Sequence, residues 1–122
     1  MKKHEDFLSL QGLIQDVKKH KVILDSELAT LYGINVNELE DAVNRNMKRF
    51  PPEFLLQLDH TEWKELHRDT AYHAHNKKRS KHYAFTEQGI LMLSNILKST
   101  TAYLINIKIL KTFVKLRIKK PL

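Results

Sequence analysis

Among the residues able to do chemistry, the histidines come first. His73 and His75 alternate in a polar stretch, with His67 and His82 on either side. Such a group suggests a metal ion, but the spacing argues against one. There are no cysteines, and no HExxH pattern sets two histidines on one helical face. Histidines in a polar loop are ordinarily solvated, so no metal is expected. Three carboxylates, Glu38, Glu40 and Asp41, cluster earlier in the chain, but no histidine stands where it would complete a catalytic dyad. The three glycines are isolated, so there is no phosphate-cradling loop, and no GxSxG elbow occurs. No catalytic residue, cofactor or small-molecule substrate is therefore expected, and the chain reads as a binding protein, not an enzyme.

Cations and amides remain. Asn35 and Asn37 precede the carboxylates and Arg45, Lys48 and Arg49 follow them. Lys77, Lys78, Arg79 and Lys81 form a second basic group. Lysine and arginine neutralise phosphates, and asparagine can pair with adenine. Lysine plus arginine number 21 against 14 acids, a formal net charge of +7. The excess is uneven: residues 77–83 hold four basic groups and no acid, and residues 84–122 hold seven with one acid, Glu87. A polyanion such as double-stranded DNA suits this distribution. A merely solvated basic surface would look the same.

The elements that must position these groups follow from periodicity. Leu28, Leu31 and Tyr32 repeat at helical spacing after Asp25 and Ser26, each able to accept from free N–H groups at a helix start. Gly33 enters the left-handed region without steric cost and ends that helix. A second helix starts near Asn35 or Asn37, and Asn37 with Glu40 has capping-box spacing. Val36, Leu39, Val43, Met47 and Phe50 form its apolar stripe, which Pro51 and Pro52 stop. Two helices around a short glycine turn have the form of a helix-turn-helix, and equally of an ordinary helical hairpin. In the helix-turn-helix reading, Asn35 and Asn37 meet base edges, and the basic groups meet phosphates. Three acids beside those asparagines oppose binding near phosphates, so the docking would be atypical.

Around this pair, Val17 and Val22-Ile23-Leu24 flank Lys18-Lys19-His20-Lys21, a hairpin whose turn has neither Gly nor Asn. Those lysines read as a solvated turn. Phe54 to Leu58 reads as a strand with Phe54, Leu56 and Leu58 on one face. Asp59 or Thr61 opens a helix buried through Trp63, Leu66 and Thr70. Residues 71–80 read as a basic loop, of the kind that forms a DNA-contacting wing, before a strand over Lys81–Phe85. Thr86 caps the next helix, buried through Ile90, Leu93, Ile96 and Leu97. The last helix, roughly Ala102 to Lys119, is apolar over more than half its circumference, which suits packing against a second copy. No signal peptide and no membrane-spanning run is present, and the lack of cysteine fits a reducing cytoplasm.

Several separated segments resemble one family. VILDSELATLYGI (Val22 to Ile34), VNRNMKRFPPEFLLQL (Val43 to Leu58), YAFTEQGILMLSNIL (Tyr83 to Leu97) and INIKILKTFVKLR (Ile105 to Arg117) are similar, in order, to the phage "ORF-six N-terminal" domain, related to the KilA-N and BRO-N domains. The likeness covers nearly all of the chain after residue 20. RFPPEF and AFTEQG are its most specific parts. It implies a mixed α+β DNA-binding domain of prophage proteins, often preceding a second region in antirepressor-like regulators. Arg45, Arg49, Phe50, Pro51 and Phe54 match the family's motif, as do Phe85 to Gly89. Relatives tend to carry Arg-Gly in the first hairpin turn, where this chain has Lys18-Lys19-His20, and Gly-Gly with a proline before AFTEQG, where it has Lys77-Lys78 and His82.

The expectation is a small single α+β domain over 1–122, or the N-terminal part of a longer protein. It has a helix-turn-helix-like pair, a short β-hairpin and sheet, and a long C-terminal helix. Its expected partners are double-stranded DNA and a second copy of itself through that helix, with no membrane. The rival is a protein-interaction module that grips a repressor or another protein and not DNA.

Overall fold

Val22, Ile23 and Leu24 are apolar in succession, as a strand covered on both faces requires. The computed structural model describes residues 7–67 and 81–119 and places such a two-sided sheet at the centre. After a short helix α1 (Phe7–Gln11) come β1 (Gln15–Val17) and β2 (His20–Leu24), then helices α2 (Asp25–Tyr32) and α3 (Val36–Arg45). A 3₁₀ turn (Met47–Arg49) leads to β3 (Leu55–Asp59) and α4 (His60–His67). β4 (Lys81–Phe85), α5 (Glu87–Leu97) and α6 (Thr100–Lys119) complete the fold. The strands pair antiparallel in the order β1-β2-β4-β3. This is the expected α+β architecture, with the hairpin, the helix pair and the long last helix in place.

Alternate residues feed two cores. Ile23, Leu55, Tyr83 and Phe85 join Leu28, Tyr32, Leu39, Val43, Ile90, Leu93, Ile105, Ile109 and Phe113 in the main core. Val22, Leu24, Leu58 and Ala84 face the other way, onto Trp63 of α4. Phe54 precedes β3 and packs on the main core, whereas Leu56 packs with the second cluster. The expected single face of Phe54, Leu56 and Leu58 therefore splits, because the strand begins at Leu55 and not at Phe54. His82, fully buried, stacks on Trp63 at 4.5 Å between ring centroids, and His60 stacks on the same indole at 5.6 Å. His73, His75 and Thr70 lie outside the described residues.

Two junctions tie the layers. The buried Asp25 carboxylate accepts from the Ser26 N–H at 2.7 Å and the Tyr83 N–H at 2.9 Å, joining the start of α2 to β4. Just past the end of β4, the Thr86 N–H donates to the Phe54 carbonyl at 3.1 Å and the Thr86 hydroxyl donates to the Glu53 carbonyl at 2.7 Å. The same hydroxyl accepts from the Gly89 N–H and so caps α5 as expected. A Cβ at residue 89 would stand 2.1 Å from the Phe54 carbonyl oxygen. Only glycine lets α5 begin this close to the 51–54 segment, so RFPPEF and AFTEQG meet at this contact.

α6 crosses the helical layer. Ala102, Ile105, Ile109 and Phe113 are buried, and Asn106 accepts from the Tyr32 hydroxyl at 2.6 Å. Its outer side leaves Tyr103, Leu104, Val114 and Ile118 exposed. Among the described residues, no helix is long and apolar enough to cross a membrane.

Two outcomes are expected. Gly89→Ala should lower stability by about 3 kcal/mol or more in urea denaturation, since the added methyl meets backbone; a loss under about 1 kcal/mol would mean that the Phe54 segment yields freely. Burial pushes the Tyr32 phenol above its ordinary 10.0, although its hydrogen bond with Asn106 works in the other direction. The folded chain therefore keeps a proton that the unfolded chain releases above about pH 10. The stability this contributes is whole below that pH and is lost as pH rises beyond it, by up to about 1.4 kcal/mol per pH unit. Tyr32→Phe should flatten that alkaline decline, as followed by circular dichroism across a pH series.

Candidate nucleic-acid interface

The helix pair has the expected form, two short helices joined by a glycine turn. α2 ends at Gly33, with φ at +75°, and the turn Gly33–Asn35 leads into α3. Ala29, Leu39 and Ala42 are buried where the two helices meet. The cap of α3 is Asn35 and not Asn37. The Asn35 side chain accepts from the Asn37 N–H at 2.7 Å, and Glu38 returns a bond to the Asn35 N–H at 3.0 Å. The cap falls two residues earlier than the Asn37–Glu40 spacing suggested, so Asn37 lies within the first turn. The carbonyl oxygen of the Asn35 side chain is committed to the cap, whereas Asn37 is exposed on the outer face.

Charge is sorted along α3. Glu38 stands in its first turn, where a carboxylate suits the positive end of the helix dipole, and Asp41 stands at mid-helix. Arg45, Lys48 and Arg49 stand exposed at its far end and in the 3₁₀ turn. Asp41 and Arg45, one turn apart, make no ion pair with each other. Glu38 and Asp41 line a groove of about 420 Å³ with Ile34, Arg45, Ile96, Leu97 and Ser99. The basic end leads towards Phe50, whose ring meets Phe85 edge-on at 6.0 Å.

Sheet register shows what lies beside that basic end. Ile23 and Leu55 both pair with Phe85. The Lys18-Lys19 turn, the Pro51–Phe54 segment and the start of α5 therefore share one end of the sheet. Lys18 lines a depression with Met47, Phe50, Pro52 and Leu56. Lys19, His20 and Lys21 line a second, with Gln88 and Arg117. Lys81 pairs with Asp59 at the other end of β4, about 14 Å away at strand rise. Lys77, Lys78 and Arg79 lie outside the described residues. The sequence expects the hairpin lysines as a solvated turn; their place beside the Pro51–Phe54 segment is set by the sheet register.

That turn is strained. Lys18 and Lys19 both have positive φ, +51° and +70°, as a type I′ hairpin requires. Left-handed backbone costs a residue with a Cβ roughly 1–2 kcal/mol. Lys98, which caps α5 at φ +52°, carries the same cost. Lys18 lies 3.2 Å from Glu62 of α4, and Lys21 lies 2.9 Å from Asp16. Both are surface pairs of small worth. Lys19, Lys48 and Arg49 form no ion pair among the described residues.

Replacing Lys19 by Gly is expected to raise the melting temperature by several degrees, as relief of left-handed strain in a domain of this size should. No rise in a calorimetric scan would mean that the turn holds lysine without cost.

No curated protein and no solved structure matches the chain. One family does. The ORF6N domain model aligns from before the hairpin to the last turn of α5, and α6 lies beyond it. The glycine beneath Phe54, the Thr86 cap and the helix pair all fall within that span. With residues 13–96 matched, the chain belongs to the ORF6N domain family.

Proposed function

We propose that this ORF6N domain binds double-stranded DNA as a regulatory module of phage or prophage type, acts in the cytoplasm, and is not an enzyme. The observation that carries the reading is the exposed basic group of Arg45, at the end of α3, with Lys48 and Arg49 in the 3₁₀ turn that follows it, beside a two-helix unit joined by a glycine turn. Those three side chains supply phosphate contacts, and Asn37 on the outer face is placed to read a base edge. The acidic start of the helix tilts the docking so that its far end comes nearest the backbone.

A dimer fits the same reading. Leu104, Ile107, Lys111, Val114 and Ile118 recur along α6 at alternating spacings of three and four, and Leu104, Val114 and Ile118 are exposed. A second copy seated there would pair two helix-turn-helix units for a two-fold site. One observation favours a different reading, a module that grips another protein. The groove beside Glu38 and Asp41 is half apolar and acidic, a shape that suits a basic, apolar segment.

Fluorescence anisotropy with mixed-sequence duplex at two salt concentrations decides between them. DNA binding predicts affinity that falls steeply with salt. The triple variant Arg45→Ser, Lys48→Ser, Arg49→Ser should weaken binding at least about tenfold and reduce the slope of log K against log salt by up to about 2.7, roughly 0.9 for each phosphate contact. No binding by folded protein at low salt would favour the protein-gripping reading. The double variant Leu104→Asp, Val114→Asp should run as a monomer in light scattering where the parent is a dimer; a monomeric parent would remove the dimer.

A further inference from the structure

We infer that the Lys18-Lys19 hairpin tip is a second DNA-contacting element, a wing that grips duplex phosphates beside the basic end of α3. The inference rests on the DNA reading above and assigns it a surface outside the helix pair. The basic segment before β4, which the sequence suggested as the wing, enters the sheet at Lys81, at the end away from Phe85. The hairpin tip lies at the Phe85 end, where Phe50 packs, and Lys18 lines one depression with Met47, Phe50 and Pro52. Lys18 of the tip and Met47, which opens the 3₁₀ turn carrying Lys48 and Arg49, therefore border the same surface.

Three further features point to a polyanion there. Lys18 and Lys19 form the summit of a two-residue turn, exposed with His20 beside them, and Lys19 has no ion pair among the described residues. The ion pairs of Lys18 and Lys21 are on the surface and open readily to a phosphate. The turn also keeps two lysines where Asn-Gly would fit without strain. Strain held in a turn that carries only charge is the pattern of a site kept for its ligand. Duplex DNA is the occupant that fits, because cations on two elements set at one rim, a helix end and a hairpin tip, can reach separate phosphates of one rigid backbone.

The test uses two variants with the same backbone chemistry. Lys18→Asn with Lys19→Gly installs the favoured type I′ pair, and Lys98→Gly relieves the matching left-handed residue at the α5–α6 turn. Both should melt higher than the parent, so neither can lose binding through misfolding. The salt slope for mixed duplex is then measured for all three proteins. The expected result is a slope reduced by about 1 to 2 for the hairpin variant, roughly 0.9 per phosphate released, and unchanged for Lys98→Gly. An unchanged slope in the hairpin variant overturns the wing and leaves DNA binding through α3 intact. Equal losses in both variants also overturn it, since bulk charge would then be the cause. A parent that binds no duplex overturns the DNA reading and the wing together.

Discussion

The Phe54 carbonyl is the point on which the rest of the structure depends. It accepts from the Thr86 N–H and lies where any side chain at residue 89 would intrude. With it in place, β3 leaves Pro51-Pro52 in register with β4, and α5 leaves β4 without a spacer. The Glu53 carbonyl takes the Thr86 hydroxyl at the same spot. Three demands thus meet in a few ångströms: a strand must pair, a helix must be capped, and a helix must pass beneath backbone. Each satisfies a polar group that burial would otherwise leave costly. The consequence reaches the surface, because the junction sets the Pro51–Phe54 segment and the start of α5 at the end of the sheet where the Ile23–Phe85 pairing also brings the hairpin tip.

Much of this was legible because local chemistry and global fold agree. Gly33 ends α2 because no other residue would enter that conformation freely. Asp59 and Glu62 form the capping box their spacing suggests. Lys81–Phe85 is a strand, and Thr86 caps the helix after it. The misreadings arose where two local solutions compete. Asn35 and Asn37 both offer a cap, and the turn geometry selected Asn35. Phe54 looks like a strand residue because it is apolar, but its carbonyl is taken by Thr86 and its ring by the main core. His82 sits among polar neighbours in sequence, yet alternation in β4 turns it inward against Trp63. No periodicity distinguishes it from a solvated histidine.

The candidate interface was less legible than the fold. Arg45, Lys48 and Arg49 could be named from their place on the second helix. Their nearest basic neighbours could not, since proximity across the sheet depends on β2 and β3 pairing with the same residue of β4. α6 shows the same limit in another form. Its apolar circumference is wider than one neighbour can cover, and only the packing shows that Ile105, Ile109 and Phe113 turn inward while Leu104, Val114 and Ile118 turn out.

The position of β4 in the sheet bears on how the chain is made. β4 lies between β2 and β3, yet it comes after both in sequence, and Ile23 must wait for Phe85. During synthesis, the first hairpin and the α2–α3 pair can form from neighbouring residues alone. The sheet that joins them cannot close until the ribosome has released β4. Val22, Leu24 and Leu58 would stay uncovered through that interval, because their shared cluster needs Ala84 as well as Trp63. Non-local pairing of this kind slows folding and leaves apolar edges open to other chains. A nascent chain stalled before residue 81 is thus the species most prone to associate wrongly or to be held by a chaperone.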